Sequence, residues 1–193
     1  MINDIPVEMI LSYQTGDYLI GNSKTKYGLP WGKELEQDKK FFWSKIDNNT
    51  LVVIGRKTYD LLENILIRKY GRDFVDYNVF VSYFSIEYMK SYLKIYDKPY
   101  NKVLVIGGKK TYEKFLDSGV VDTIYLTKIT PRKFKYKGDC YLSKDFIDKI
   151  LNNYNCVSNE YDNAYVYLFN LPKLRTTTPY QVGYVIKEYK RNT

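Results

Sequence analysis

Asn49-Thr50-Leu51-Val52-Val53-Ile54-Gly55-Arg56-Lys57-Thr58 is the stretch whose reading decides the fold. Its first half is a short, apolar, β-branched run, the pattern of a strand buried on both faces. It stops at Gly55, after which Tyr59, Leu62 and Ile65 recur at helical spacing. A strand leaving through glycine into a helix exposes free backbone N–H groups at the positive end of the helix dipole. With Arg56, Lys57 and Thr58 there, the turn is an anion site in outline. Many strand-to-helix turns are basic only because water surrounds them, so one such turn decides little about function.

A second turn repeats the arrangement. Val103-Leu104-Val105-Ile106 reads as a buried strand, Gly107-Gly108 follow it, and Tyr112, Phe115 and Leu116 mark a helix that Gly119 closes. Paired glycines let the backbone approach a ligand where side chains would forbid it, although most Gly-Gly pairs are plain turns. Two phosphate-compatible turns at the carboxyl ends of strands carry more weight, because ligands bind there in open α/β sheets. Upstream, Asp38 begins an amphipathic helix and shares a face with Phe42 at i+4. Taken alone, an Asp at a helix start is more often a cap than a reactive acid.

Composition narrows the chemistry. The chain has 193 residues, enough for one domain with a sizeable core, and carries a net charge of +8. It contains no His, and Cys140 and Cys156 lack metal-ligand spacing, which removes a zinc site and a His-activated nucleophile. Carboxylates are left as the acid or base groups. The N-terminus lacks a basic segment followed by an apolar one, and no run approaches the length of a membrane span. The expectation is a cytoplasmic protein with reduced cysteines. The positive charge suits nucleic acid, an acidic surface, or an enzyme with a polyanionic cofactor.

Ile20-Gly21, Leu29-Pro30-Trp31, Asp38 with Phe42, Val53-Ile54-Gly55-Arg56-Lys57-Thr58, Val105-Ile106-Gly107-Gly108 with Tyr112, and Ile124-Tyr125-Leu126-Thr127 follow one another in this chain. In that order they resemble the dihydrofolate reductase family. The resemblance implies an α/β single domain with an eight-stranded, mostly parallel sheet, an antiparallel C-terminal edge and flanking helices. It places that domain at 1–170 and leaves 171–193 as a basic extension.

The resemblance also implies reduction of 7,8-dihydrofolate by NADPH, with hydride transfer to C6 and protonation at N5, within one-carbon metabolism. Asp38 would be the acid group, with Trp31 and Thr127 orienting it and Leu29 and Phe42 packing the substrate. Ile20, Gly21, Gly55, Arg56, Lys57, Thr58, Ile106, Gly107, Gly108, Lys109 and Tyr112 fall to the cofactor. Ser82-Tyr83, at the end of a strand expected from Asn78, offer hydroxyls and no carboxylate; with Arg56 nearby this favours a 2'-phosphate and hence NADPH. The long loop Gln14–Glu36 would close over both ligands. The folate glutamate normally meets an arginine in a Pro-Gly-Arg type turn; Arg72 is the candidate here, with Arg68 the alternative.

The remaining segments read as a first strand at Val7–Tyr13, a helix at Ile86–Tyr96 with Ile86, Met89, Leu93 and Tyr96 on its core face, and a helix from Ser143. Segments near Val157 and at Tyr165–Phe169 suggest a terminal hairpin. Pro131-Arg132-Lys133-Phe134-Lys135-Tyr136-Lys137 interleaves cations with rings, as a single-stranded nucleic-acid surface does, but an exposed loop or strand edge is the commoner cause. In the tail, Val182, Tyr184 and Ile186 alternate with polar residues, which fits a further strand or a subunit contact. Two other functions stay open: a riboflavin-pathway reductase of the same fold, and an interaction protein that meets nucleic acid or a larger assembly through its basic tail.

Overall fold

The computed structural model describes residues 1–31, 35–83, 85–95, 99–132, 134–168 and 180–192, with 159–168 and 180 described by their backbone. The strands are β1 (Val7–Gln14), β2 (Leu19–Gly21), β3 (Thr50–Ile54), β4 (Val79–Val81), β5 (Lys102–Val105), β6 (Thr123–Pro131), β7 (Cys140–Tyr141), β8 (Tyr154–Leu168) and β9 (Tyr180–Arg191). The helices are α1 (Glu36–Ser44), α2 (Arg56–Tyr70), α3 (Arg72–Asn78), α4 (Ile86–Ile95), α5 (Lys109–Asp117) and α6 (Lys144–Asn153).

Seven strands hydrogen-bond in the order β4-β3-β5-β1-β6-β9-β8, and β2 and β7 pair with each other apart from them. The class is the expected α/β, mostly parallel with an antiparallel edge; among the described residues the principal sheet has seven strands, beside the eight that the family resemblance implied. The chain divides into two compact units, Met1–Ile10 with Phe41–Ile124, and Leu11–Lys40 with Tyr125–Asn192.

The first unit is built on β3, every residue of which is buried. β3 runs parallel to β4, with Val52 opposite Val79, and to β5, with Leu51 opposite Val103. β5 in turn runs parallel to the start of β1, with Val7 opposite Val103. Parallel neighbours need long crossovers, which α2 with α3, and α4, supply. α2 continues to Tyr70, Gly71 breaks it at φ +92°, and α3 starts at Arg72, the candidate anchor for the folate glutamate. Asn78 ends α3 instead of opening β4. Its side-chain amide is drawn inward, donating to the Asn48 carbonyl at 2.8 Å and the Thr50 carbonyl at 3.0 Å. On α4, Ile86 and Met89 are buried and Leu93 is half-buried; Tyr96 lies outside the described residues.

The second unit owes its size to one long antiparallel pair, running from Tyr154 opposite Arg191 to Leu168 opposite Tyr180. The segments near Val157 and Tyr165 are therefore one strand, β8, whose partner comes from the stretch expected as an extension. Val182, Tyr184 and Ile186 are the buried side of β9, which is what their alternation with polar residues encodes. Lys173 and Arg175 lie outside the described residues. The loop from Gln14 carries β2, whose Leu19 stands opposite Tyr141 and whose Gly21 stands opposite Cys140 of β7. In the 131–137 segment the Tyr136 ring is buried, packing edge-on against Trp31 at 6.2 Å and against Phe134 at 5.0 Å, so its aromatic content serves the interior. No helix among the described residues is long and apolar enough to cross a membrane.

Candidate active site

In the first unit the two glycine turns meet. The Gly55 N–H donates to the Gly107 carbonyl, and a Cβ on Gly55 would stand 2.8 Å from Thr111 Oγ1 and 3.2 Å from the Gly108 nitrogen. Gly107 has φ +103°, and a Cβ there would lie 2.7 Å from the Tyr112 ring. The bond between Gly107 and Gly108 is cis. Tyr112 is itself fixed, its hydroxyl 2.8 Å from the carbonyls of Ile10 and Ile106. Behind the turn, the Ile106 N–H donates to the Val53 carbonyl at 2.9 Å. A Cβ on Gly108 would come within 3.0 Å of Thr58 Oγ1. A Cβ would collide at Gly55 and Gly107 and would crowd the Thr58 hydroxyl at Gly108.

Gly55 and Gly108 are the N-caps of α2 and α5, and neither helix has a side-chain cap or an acidic residue in its first turn. Two helix N-termini thus present their amides side by side with Arg56, Lys57 and Lys109 around them. That is the electrostatics of a polyphosphate site. Lys57 is exposed, whereas Lys109 is partly engaged with Glu113 at 3.8 Å. Arg56 Nε meets Asp60 at 2.7 Å, and hydrogen bonding to Tyr83, then the Asp60 charge, hold its pKa up. Ser82 follows β4, its N–H on the Ile54 carbonyl at 2.8 Å, and Tyr83 beside it is exposed. The structure therefore brings Arg56, Ser82 and Tyr83 to one strand end.

The second unit holds Asp38, the residue expected as the acid group. Asp38 is the third residue of α1, only 8% exposed, and its carboxylate faces strands instead of its own helix start. Oδ1 accepts a 2.6 Å hydrogen bond from Thr127 Oγ1 on β6. Ser12 Oγ on β1 lies 3.0 Å from Oδ1 and 3.1 Å from Oδ2. A capping role does not account for this geometry, since a cap would accept from backbone N–H groups of its own first turn. Burial raises the Asp38 pKa, and the hydrogen bonds from Thr127 and then Ser12 partly oppose that rise.

Trp31 is 2% exposed, and its indole N–H is buried without a hydrogen-bond partner among the described residues. A buried donor of that kind calls for a water or ligand acceptor. Leu29 and Ile20 are half-buried. Leu29 lies in a turn closed by the Asn22 N–H on the Gly28 carbonyl at 2.8 Å, and its own carbonyl accepts from Thr25 Oγ1 at 3.0 Å. Gly21 is required by close packing, since a Cβ there would stand 2.9 Å from the Cys140 Cβ. Phe42, back in the first unit, is half-buried with its ring edge-on to Trp43 at 4.8 Å. Arg72 is exposed on α3 and held by Asp76 at 3.0 Å and Glu63 at 3.4 Å; Arg68 is exposed, its Nε on the Asn64 carbonyl at 3.1 Å.

Sequence reasoning missed Ser12, Thr111, Gln14, Tyr136 and Asp139. Ser12 is a hydroxyl set inside an apolar strand, and Gln14 is a fully buried amide at the end of that strand. Gln14 clamps the Tyr136 backbone, accepting from its N–H at 2.8 Å and donating to its carbonyl at 3.3 Å. Asp139 accepts from the Ser23 N–H at 3.0 Å and from its hydroxyl, pinning the loop that follows β2. A polar residue inside an apolar strand is a readable signal; the partner of Asp139 is not.

The sequence model of the dihydrofolate reductase family matches residues 7–170. The chain belongs to that family. Among curated dihydrofolate reductases, it is 32% identical over 114 residues to the type 9 enzyme of Escherichia coli, covering 52% of this chain and 59% of that one. It is 25% identical over 173 residues to the bifunctional dihydrofolate reductase-thymidylate synthase of Paramecium tetraurelia, covering 85% of this chain and 34% of that one. The chain thus spans about a third and about three fifths of these relatives' lengths. In fold it is similar to a dihydrofolate reductase from Enterococcus faecalis solved in complex with NADP(H) and RAB-propyl, with a TM-score of 0.57, 22% identity and 97% of each chain covered.

Proposed function

We propose that this chain is an NADPH-dependent oxidoreductase that reduces 7,8-dihydrofolate to 5,6,7,8-tetrahydrofolate in the cytoplasm. The observation that carries the reading is Asp38, a carboxylate taken out of water and held by the hydroxyls of Thr127 and Ser12. A family member with that group intact retains the means to bind a pterin and assist its protonation.

The residues present fit the cofactor. A Cβ would collide at Gly55 and Gly107 and crowd Thr58 at Gly108, so the backbone can approach a ligand closely there, and the two uncapped helix starts would offer N–H groups to phosphates. Arg56, Lys57 and Thr58 would hold the pyrophosphate and 2'-phosphate, with Ser82 and Tyr83 beside Arg56. Ile20, Gly21, Ile106, Lys109 and Tyr112 complete the cofactor residues, mostly through backbone shape. When bound, NADPH supplies the hydride that is transferred to C6 of the substrate.

Asp38 would accept from the pterin amino group and N3, fixing the ring and favouring the tautomer that takes a proton at N5 through water. Its raised pKa suits that work, since a carboxyl poised nearer neutrality exchanges protons more readily than a surface one. Thr127 holds one carboxylate oxygen, and the buried Trp31 N–H, without a hydrogen-bond partner among the described residues, would donate to a water or to the substrate. Leu29 and Phe42 supply apolar walls for the substrate. Arg72 would have to leave Glu63 and Asp76 to take the folate glutamate.

The test is loss of nicotinamide absorbance when purified protein meets NADPH and dihydrofolate, with Asp38→Asn run alongside. Turnover that the substitution removes supports the reading. A folded protein that binds NADPH but leaves dihydrofolate unchanged would overturn it and move attention to another pterin-like substrate.

A further inference from the structure

Of the two hydroxyls on Asp38, Thr127 belongs to the family motifs and Ser12 does not. Ser12 sits in the sixth position of β1, Val-Glu-Met-Ile-Leu-Ser-Tyr-Gln, with Ile10 and Leu11 buried just before it. Its placement differs in kind from that of Thr127. Thr127 takes Oδ1 alone, whereas Ser12 stands almost equally far from both oxygens, on the side where the carboxylate presents its fork. A hydroxyl there can give its single proton to either oxygen.

The surroundings make that proton matter. Burial pushes the Asp38 charge toward neutralisation, and the opposing groups are Thr127 and Ser12. On α1, Glu36 and Lys40 pair with each other on the exposed side at 3.3 Å, and Lys39 is exposed. From β6, Lys128 follows Thr127, and burial first, then the Lys187 charge, push its pKa down. Successive strand residues point to opposite faces, so Lys128 is turned from the Thr127 side. From β1 the group that faces Asp38 is Ser12.

We propose that Ser12 is a positioning residue of the active site: its hydroxyl bridges the two Asp38 oxygens, holds the carboxylate in its ionised form, and keeps its fork aimed until a substrate with two adjacent N–H donors takes that place. The inference rests on Asp38 being the substrate-binding acid proposed above. It gives β1 a chemical role in addition to its place in the sheet. A hydrogen bond donated to a charged group stabilises that charge enough to move its titration by about one pH unit.

The experiment follows the Asp38 carboxyl by carbon-13 NMR over a pH titration, the signal being assigned by its loss in Asp38→Asn. In Ser12→Ala the midpoint should rise by about one unit, Ser12→Thr should restore it, and Ser12→Cys, a weaker donor, should fall between. The acid limb of the kcat/KM profile for dihydrofolate should move by the same amount and in the same order. An unmoved midpoint in folded Ser12→Ala or Ser12→Cys overturns the proposal, as does a shift that Ser12→Thr fails to reverse. A midpoint that moves as expected in protein with no reductase turnover leaves Ser12 in control of Asp38 and instead sinks the reductase reading.

Discussion

The glycine turns of the first unit and the Asp38 cluster of the second are built by opposite means. At Gly55 and at Gly107-Gly108 the site is made of backbone: amides, positive φ, and the absence of any Cβ. Each turn is contiguous in sequence, so strand, glycine and helix can be read off in order. The Asp38 cluster is made of side chains whose carriers stand 26 and 89 residues from it along the chain. A backbone arrangement of the first kind is stated by local sequence, whereas a side-chain cluster of the second exists only once three elements have packed.

The largest effect should come from removing the charge in the side-chain site. Asp38→Asn keeps the shape and is expected to lower kcat/KM by about 100-fold or more, the usual weight of a positioned acid group. The same change should stabilise the fold. A carboxyl whose folded pKa is raised above its ordinary 3.8 keeps its proton longer when folded. Stability is then lost as pH rises from 3.8 through the folded pKa, and the deficit persists at neutral pH. Melting temperatures across pH should show Asp38→Asn ahead of wild type at neutrality, with the gap closing toward pH 4. A variant that lost stability at neutral pH would mean that Asp38 is a structural anchor.

In the backbone site the sharpest change is an added methyl. Gly107→Ala must place a Cβ 2.7 Å from the Tyr112 ring at φ +103°, which should cost about 3 kcal/mol and weaken dinucleotide binding as well. Gly119→Ala is the internal control, with φ +66° but nothing within 4 Å of the new Cβ. It should cost about 1 kcal/mol, the conformational term alone. Denaturant unfolding of the pair separates strain from collision, and equal costs would remove the argument that Gly107 is reserved for close approach.

What the sequence makes legible follows the same division. β3, β5, α2 and α5 are readable because a fully buried strand and an amphipathic helix each repeat a pattern several times. β2 and β7, three and two residues long, give periodicity nothing to repeat. The α2–α3 break rests on Gly71 alone, and α3, with Phe74, Val75 and Asn78 buried, is seven residues long, too short for a helical period to repeat. β9 was visible as an alternation at Val182, Tyr184 and Ile186, but its partner was not, because strand pairing is a long-range choice. Asp38 and Thr127 could be named through resemblance, whereas Ser12 and the Gln14 clamp on Tyr136 belong to no motif and show only as polar residues inside an apolar strand.

A smaller effect should sharpen the anion side of the comparison. Arg56→Ala removes an exposed cation already shared with Asp60, so the turn's backbone amides remain to bind the pyrophosphate. Affinity for NADPH should fall about tenfold, as one charge-assisted hydrogen bond commands, while NADH binding changes little. The NADPH loss should also shrink at high salt, because the arginine is in water. Equal losses for both dinucleotides would mean that Arg56 does not meet a 2'-phosphate.

The smallest effect tests whether the loop after β2 is itself a long-range construction. Asp139 is fully exposed, and its pKa is held low first by the Ser23 hydroxyl and then by the Ser23 N–H, so it is an ionised clasp on a surface turn. Two features tie the same loop without it: the Asn22 side-chain amide donates to the Lys137 carbonyl at 2.8 Å, and Gly138 packs so closely that a Cβ there would stand 2.2 Å from the Gly21 carbonyl oxygen. Asp139→Asn keeps an acceptor but loses the charge, so the melting temperature should hardly move, whereas amide exchange at Ser23 and Lys24 should quicken. Since the stabilising form is the carboxylate, wild type should reach that faster exchange by itself as pH falls through the lowered Asp139 pKa, and the variant should show no such pH step. If exchange at Ser23 were the same in both proteins at neutral pH, the Asn22 amide and the close glycine packing would hold the loop without the Asp139 clasp, and close backbone approach would prove to shape the second unit as it shapes the first.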